Sequence, residues 1–392
     1  MNLDDFAAAM ERICSRSLAA PGRPLRWTII ANPTAGGFAI RSRWKGHYAA
    51  LGACEARAAA NPLREDAGPS RTALDADPGR DSLGRFGVVL TRGPETAAKT
   101  LEALLDEAAG QTGTPPFNLL ITAGGDGTSL EALTVLYSAP AAVRANFGVL
   151  RLPMGTGNDG ADGWELEPVL DRLIGPSRIE YARGVRLVTA NPRKGPFVAF
   201  NILSVGLDAF VTHMTNKMKG KFPGDSYKLW VDVAAILYDR LYRVGPMDVA
   251  AYDEAGRTVE GFTEKVLLLA VGAGGRRTYG SHKKILPDDR NVCVVRQMPL
   301  LRKVALKGLF TSGEHIHKPE SKLFTARRVE FRGENPILAQ MDGETTLLKP
   351  EDFPAAIELT EPAIPVVRDA GSAFPAAPLP SLQTAPGFSV SG

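Results

Sequence analysis

The apolar positions of this chain follow two different patterns. Between Trp27 and Pro153, short near-continuous apolar runs alternate with stretches of helical period. Trp27–Ala31, Phe86–Thr91, Phe117–Ala123 and Phe147–Leu152 read as buried strands. The stretch from Pro94 to Gly110 places Ala97, Leu101, Leu104 and Ala108 on one helical face, between a proline and a glycine where helices start and stop. A further helix opens at Gly124 and carries Leu130, Leu133 and Leu136. Strand and helix alternate four times, which predicts an α/β N-terminal domain with a mostly parallel sheet and helices on both faces.

After about residue 175 strand-like runs dominate: Val185–Thr189, Phe197–Val205, Met247–Tyr252, Val266–Val271, Val292–Val295, Arg328–Phe331 and Ala356–Leu359. Turn residues separate them and one helix, Ser226–Arg243, interrupts, so a largely antiparallel β domain is expected. The resulting domain map is a helical N-terminal extension over residues 1–24, an α/β domain over 25–175, and a β-rich domain over 176–362. Residues 61–85 read as a mobile insertion and 363–392 as a disordered tail, because both are rich in small and turn-forming residues.

Composition changes this picture little. The chain has 392 residues, 44% of them hydrophobic and 23% charged, and a net charge of +3. Two domains suit that length, and the mild positive charge suits an anionic partner without choosing one. Three scattered cysteines form neither a disulfide framework nor a metal spacing, which points to a reducing cytoplasm. No apolar run approaches the ~18 residues of a membrane span, so membrane contact is expected to be peripheral.

The chemistry concentrates in loops that follow strands. Gly124-Gly125-Asp126-Gly127-Thr128 ends one strand and opens a helix. Backbone N–H groups at a helix N-terminus, laid bare by glycine, make a cradle for phosphate. A carboxylate inside such a cradle needs a cation between itself and the phosphates, so Asp126 implies Mg²⁺, directly or through water. The bland alternative is a tight turn with Asp126 as helix cap. Leu152–Asp159, with Gly155, Thr156, Asn158 and Asp159, ends another strand in the same manner, and Asn32-Pro33-Thr34-Ala35-Gly36 a third. Neighbouring strands of an open α/β sheet deliver such loops to one crevice. No Walker-A loop, dinucleotide fingerprint or paired zinc histidines accompany them.

In ordered combination these segments resemble the diacylglycerol-kinase catalytic family, in the superfamily that also holds sphingosine and NAD kinases. Phe200-Asn201, Gly206-Leu207-Asp208-Ala209 and Asp342-Gly343-Glu344 extend the resemblance to residues 25–362. The resemblance implies a C-terminal β-sandwich, with the active site between the two domains. It implies an ATP-dependent lipid kinase whose partners are ATP, Mg²⁺ and a lipid at the membrane surface, with no nucleic acid. By motif match Asn32 to Gly36, Thr91, Gly124 to Thr128 and Thr156 would surround ATP, Gly155, Asn158 and Asp159 would lie on the substrate side, and Glu344 would be the general base. Some bacterial members place a structural Mg²⁺ in the segment matching Tyr279–Val292, and Asp289 is its best match here. Leu130 stands where the family commonly has Asn. The alternatives are a kinase for NAD or another small molecule, and a nucleotide-binding regulatory protein without catalysis. Lys217, Lys219 and Lys221, and Arg276, Arg277, Lys283 and Lys284, form two basic groups that could face a membrane. Oligomeric state stays open, a homodimer included.

Overall fold

The computed structural model describes residues 1–19, 24–64, 86–93, 95–111, 115–218, 238, 242–279 and 283–370. The expected insertion past residue 64, most of the helix read at 226–243, and everything after residue 370 lie outside the described residues.

The chain opens with α1 (Leu3–Cys14), capped by the Asn2 side chain, which accepts the Asp4 N–H at 3.1 Å. Phe6, Met10 and Ile13 are fully buried, and the Phe6 ring meets Phe38 edge-to-face at 5.2 Å. This helix is therefore part of the first domain's core and not an appendage to it. Four strands follow: β1 (Leu25–Ala31), β2 (Phe86–Leu90), β3 (Phe117–Gly124) and β4 (Phe147–Pro153). They pair in parallel in the order β2-β1-β3-β4. The connecting helices are α2 (Gly36–Ala39), α3 (Arg41–Ala58), α4 (Thr96–Gly110), α5 (Asp126–Ser138) and α6 (Ala141–Arg144), with α7 (Leu166–Ile174) after β4. One face of the sheet packs on α1, α3 and α7 through Leu51, Leu166 and Leu170. The other packs on α4 and α5 through Leu101, Leu133 and Leu136.

Two more strands complete this sheet. The last strand of the described chain, β19 (Ile364–Asp369), pairs in parallel with β4 at Val366 and Val149, and antiparallel with β5 (Ser177–Ala182). Residues 364–369, placed by composition in a disordered tail, are thus a core strand with Ile364, Val366 and Val367 buried. Six residues flanked by Pro and Ala carry too little local signal to read as a strand. Their partner β4 lies some two hundred residues away, and pairing with it, not propensity, makes them one.

The second domain is antiparallel. It comprises β6 (Val185–Val188), β7 (Phe197–Ala199), β8 (Ile202–Gly206), α8 (Leu207–Met218), β9 (Pro246–Tyr252), β10 (Thr258–Gly272) and the hairpin β11 (Arg277–Tyr279) with β12 (Lys283–Leu286). There follow β13 (Val292–Arg296), a helix α9 (Leu300–Ser312), β14 (Ser321–Phe324), β15 (Arg328–Gly333), β16 (Ile337–Met341), β17 (Glu344–Leu348) and β18 (Ala355–Leu359). Strand order is β17-β16-β8-β10-β9-β15-β18-β6-β7, with β13 joined to β10 and β14. The first half of β10 pairs with β9, and its second half runs between β8 and β13, so one long strand serves both layers. Between the layers lie Leu203, Val249, Leu269, Val294, Val329 and Ile357. The run Phe197–Val205 is two strands, broken at Phe200 and Asn201.

Candidate active site

The three strand-end loops meet at the C-terminal edge of the parallel sheet. Asn32 is fixed there by its N–H, which donates to Ala123 O at 3.0 Å, and its side chain accepts from the Thr34 N–H and hydroxyl at 3.0 and 2.8 Å. Asn32 Nδ2 reaches Thr128 Oγ1 at 3.4 Å, tying the first loop to the second. Gly37 N–H donates to Met154 O at 2.8 Å, tying the first to the third. Thr91 enters at the end of β2, with its N–H on Ala31 O at 2.8 Å. The backbones of the second and third loops approach each other through glycine. A Cβ on Gly155 would stand 2.7 Å from Gly125 Cα, so only hydrogen fits between the two backbones. Arg43, unremarked in the sequence, holds the third loop by donating to Gly155 O at 2.6 Å.

Asp126 is the first residue of α5, at the positive end of the helix, where the Thr128 N–H already closes on Gly125 O at 3.1 Å. Its Oδ1 accepts the Gly160 N–H at 2.8 Å. Its Oδ2 lies 3.2 Å from the Cβ that Gly157 does not have, and Asp159 Oδ2 lies 3.3 Å from the same point. Two carboxylates therefore border one small open space. Mg²⁺ binds through one or two carboxylates together with phosphate and water oxygens, and the donor set of Asp126 and Asp159 fits that habit. Among the described residues no three acids, histidines or cysteines gather to hold a metal by themselves.

The β domain supplies the facing wall. A cleft is lined by Asp126, Ser129, Arg151 and Asp159 from one side and by Asn201, Tyr279 and Asp342 from the other. Asp342 and Gly343 form the turn between β16 and β17, with φ of 45° and 107°. Left-handed backbone at both turn positions suits a two-residue hairpin of Asp-Gly. The turn aims Asp342 at the break between β7 and β8, where its carboxylate accepts the N–H groups of Phe200, Asn201 (3.0 Å) and Ile202 (2.9 Å). Burial raises the Asp342 pKa, against the pull of those three donors, and the nearby Asp126 charge raises it further. The resemblance put the weight of this segment on Glu344 and gave Asp342 no role of its own. The Asp-Gly pair was the available signal, but the broken strand it clamps was not.

Behind the cleft lies a buried ion cluster. Asp162 accepts from Arg151 Nη2 at 2.9 Å, from the Arg151 backbone N–H at 2.7 Å and from Arg368 Nη1 at 3.1 Å. Burial alone would raise the Asp162 pKa, but the fields of Arg151 and Arg368 and the hydrogen bonds bring it down to about 2. Arg277 also packs into this region. Burial, together with the Arg151 and Arg368 charges, pushes its pKa down to about 10.

Two expectations change, and Glu344 lies apart from the cleft. Glu344 is exposed at the start of β17 and does not line the cleft. Its side chain has no hydrogen-bond or ion-pair partner among the described residues. Asp289 is exposed and paired with Arg276 at 2.7 Å, while Asp288 is held by Arg290. Guanidinium groups thus pair with both carboxylates, and among the described residues no donor set for a structural Mg²⁺ gathers there. The basic group Arg276, Arg277, Lys283 and Lys284 is not one surface either: the short β11–β12 hairpin turns Arg277 inward and leaves Lys284 exposed. Of the other group only Lys217 is described. No helix among the described residues is long and apolar enough to cross a membrane, and all three cysteines are buried thiols.

Comparison with known proteins agrees with this geometry. A 170-residue stretch is 29% identical to the "Probable lipid kinase YegS-like" of Enterobacter sp. (strain 638), covering 43% of this chain. The chain spans about half, 51%, of that curated relative's length. Two solved structures of candidate diacylglycerol kinases from Bacillus anthracis str. Sterne share the fold, with TM-scores of 0.53 and 0.51 at 14% and 15% identity. These matches cover 90% and 87% of this chain, and 98% and 96% of theirs. Residues 26–174 match the diacylglycerol kinase catalytic domain, and residues 201–367 match the YegS C-terminal NAD kinase beta sandwich-like domain. With both models matched in sequence order across most of its length, the chain belongs to the diacylglycerol-kinase family of YegS type.

Proposed function

We propose that this protein is an ATP-dependent lipid kinase that transfers the γ-phosphoryl group of ATP to a hydroxyl of a membrane lipid such as diacylglycerol. The observation that carries the reading is the meeting of three glycine-bearing loops at one sheet edge, with Asp126 and Asp159 bordering the same space. Asn32 to Gly36, Thr91, Gly124 to Thr128 and Thr156 would cradle the nucleotide, its phosphates at the N-terminus of α5. Arg43, already bound to the third loop, brings a positive charge to the same edge. Asp126 and Asp159 would hold Mg²⁺, which when bound offsets the phosphate charge.

The lipid hydroxyl oxygen bonds to the γ-phosphorus as the bond to the β,γ-bridging oxygen breaks, and ADP leaves. The hydroxyl proton needs an acceptor. Asp342 is committed to three backbone N–H groups and Asp126 to Gly160. Glu344, two residues beyond Asp342 and exposed, is the carboxylate open to a hydroxyl arriving from outside, and we assign it as the base. The test is incubation of the purified chain with Mg²⁺, labelled ATP and a panel of lipids, sphingoid bases and NAD. Label in a lipid supports the reading. Label in NAD alone points to a small-molecule kinase, and nucleotide binding without transfer to a regulatory protein.

A further inference from the structure

We propose that α9 (Leu300–Ser312) docks the protein on an anionic lipid bilayer, its outer apolar stripe entering the acyl boundary and its cations meeting headgroup phosphates. Helices at the surface of a globular domain ordinarily turn their apolar stripe inward. This one has apolar residues on both sides. Leu306 and the stem of Lys303 are buried against the domain, while Leu300, Leu301 and Val304 are 45%, 85% and 51% exposed. Three of the large exposed hydrophobic residues among those described therefore sit on one short helix, where scatter would have spread them. Ala305 and Gly308 follow Leu301 at helical spacing and are exposed too, so the stripe is continuous.

Charge selects the occupant. The helix carries Arg302, Lys303 and Lys307 and no carboxylate. It packs against β12, which adds Lys283 and the exposed Lys284. Glu320 engages Arg302 at 2.5 Å, while Lys284 stands exposed on the adjoining strand. A second copy of the chain would bring cations against cations about a two-fold axis. An anionic membrane answers both the apolar stripe and the charge. A helix of 13 residues is about 20 Å long, too short to span, so it lies in the interface. The strand it packs on is hairpinned to β11, whose Tyr279 lines the cleft. The docking helix is thus joined to the cleft wall through one hairpin. This deepens the lipid-kinase reading but does not need it to be tested.

The experiment is co-sedimentation of the full chain, without nucleotide, with phosphatidylcholine vesicles and with mixed phosphatidylcholine–phosphatidylglycerol vesicles. Binding is expected on the mixed vesicles and to be much weaker on the neutral ones. The double variant Leu301→Glu/Val304→Glu should bind the mixed vesicles about tenfold less or weaker still, and Lys284→Gln about fivefold less. Melting temperatures should match the parent, because these side chains are exposed. Undiminished binding by the double variant overturns the proposal. So does equal binding to both vesicle types, or a parent dimer that the double variant splits into monomers. Vesicle binding without phosphate transfer leaves the docking intact and removes only the kinase reading.

Discussion

Asp126 Oδ1 accepts the backbone N–H of Gly160 at 2.8 Å, joining the start of α5 to the loop after β4. The bond locks one carboxylate oxygen and leaves the other towards Gly157 and Asp159. Asp126→Asn can keep the bond through its amide oxygen but loses the charge that Mg²⁺ requires. Turnover should fall on the order of 10²-fold or more, with the melting temperature unchanged. Initial rates at saturating Mg²⁺ and ATP check this, and near-normal turnover would remove Asp126 from the metal site.

Gly155→Ala tests the approach of two loops. Its new Cβ would lie 2.7 Å from Gly125 Cα, and backbone cannot swing aside as a side chain can. Overpacking of this kind costs about 1–3 kcal/mol. The two halves of the phosphate cradle should separate, raising KM for ATP. Thermal melts and ATP titrations read the two effects, and a variant equal to the parent in both would show that the loops are not held in contact.

Asp162→Asn leaves the buried Arg151 and the half-buried Arg368 beside a neutral amide. Breaking a buried pair by removing one partner costs about 3–5 kcal/mol. Asp162 titrates at about 2 in the fold against an ordinary 3.8, so its contribution is fully present above the ordinary value and is lost as pH falls through about 2. The stability gap between parent and variant should therefore be wide at neutral pH and narrow in acid. Urea denaturation across that range measures it, and a gap independent of pH would contradict the assignment.

Glu344→Gln should slow the chemical step by ~10²–10⁴-fold if this side chain takes the hydroxyl proton. ATP affinity should change little, because the loops that meet the phosphates belong to the other domain. Single-turnover rates with saturating lipid give the answer. An unchanged rate would move the role to Asp159, which lines the cleft.

Ending the chain at Pro362 removes β19, with Ile364, Val366 and Val367 buried between β4 and β5. Each such side chain is worth about 1.5–3 kcal/mol, enough together to unfold the first domain or make it insoluble. A chain ended at Ala370 keeps the strand and serves as the control. Equal melting curves for the two would show that the strand is dispensable.

What the sequence determined by itself was local. Phe117–Ala123 is apolar on both faces and runs straight into Gly124-Gly125-Asp126, so strand, turn and helix start were legible without any distant partner. The same holds for Phe147–Leu152 and Met154–Asp159, and the parallel sheet follows from their alternation with helices. Tertiary structure decided the rest. It made residues 364–369 a strand through pairing with β4, turned Arg277 towards Arg151 and Arg368, and aimed Asp342, not Glu344, into the cleft. Each of these depends on which way a residue faces once a turn or a register is set. A one-residue step in register exchanges the two faces of a strand, and that step is fixed by partners remote in sequence.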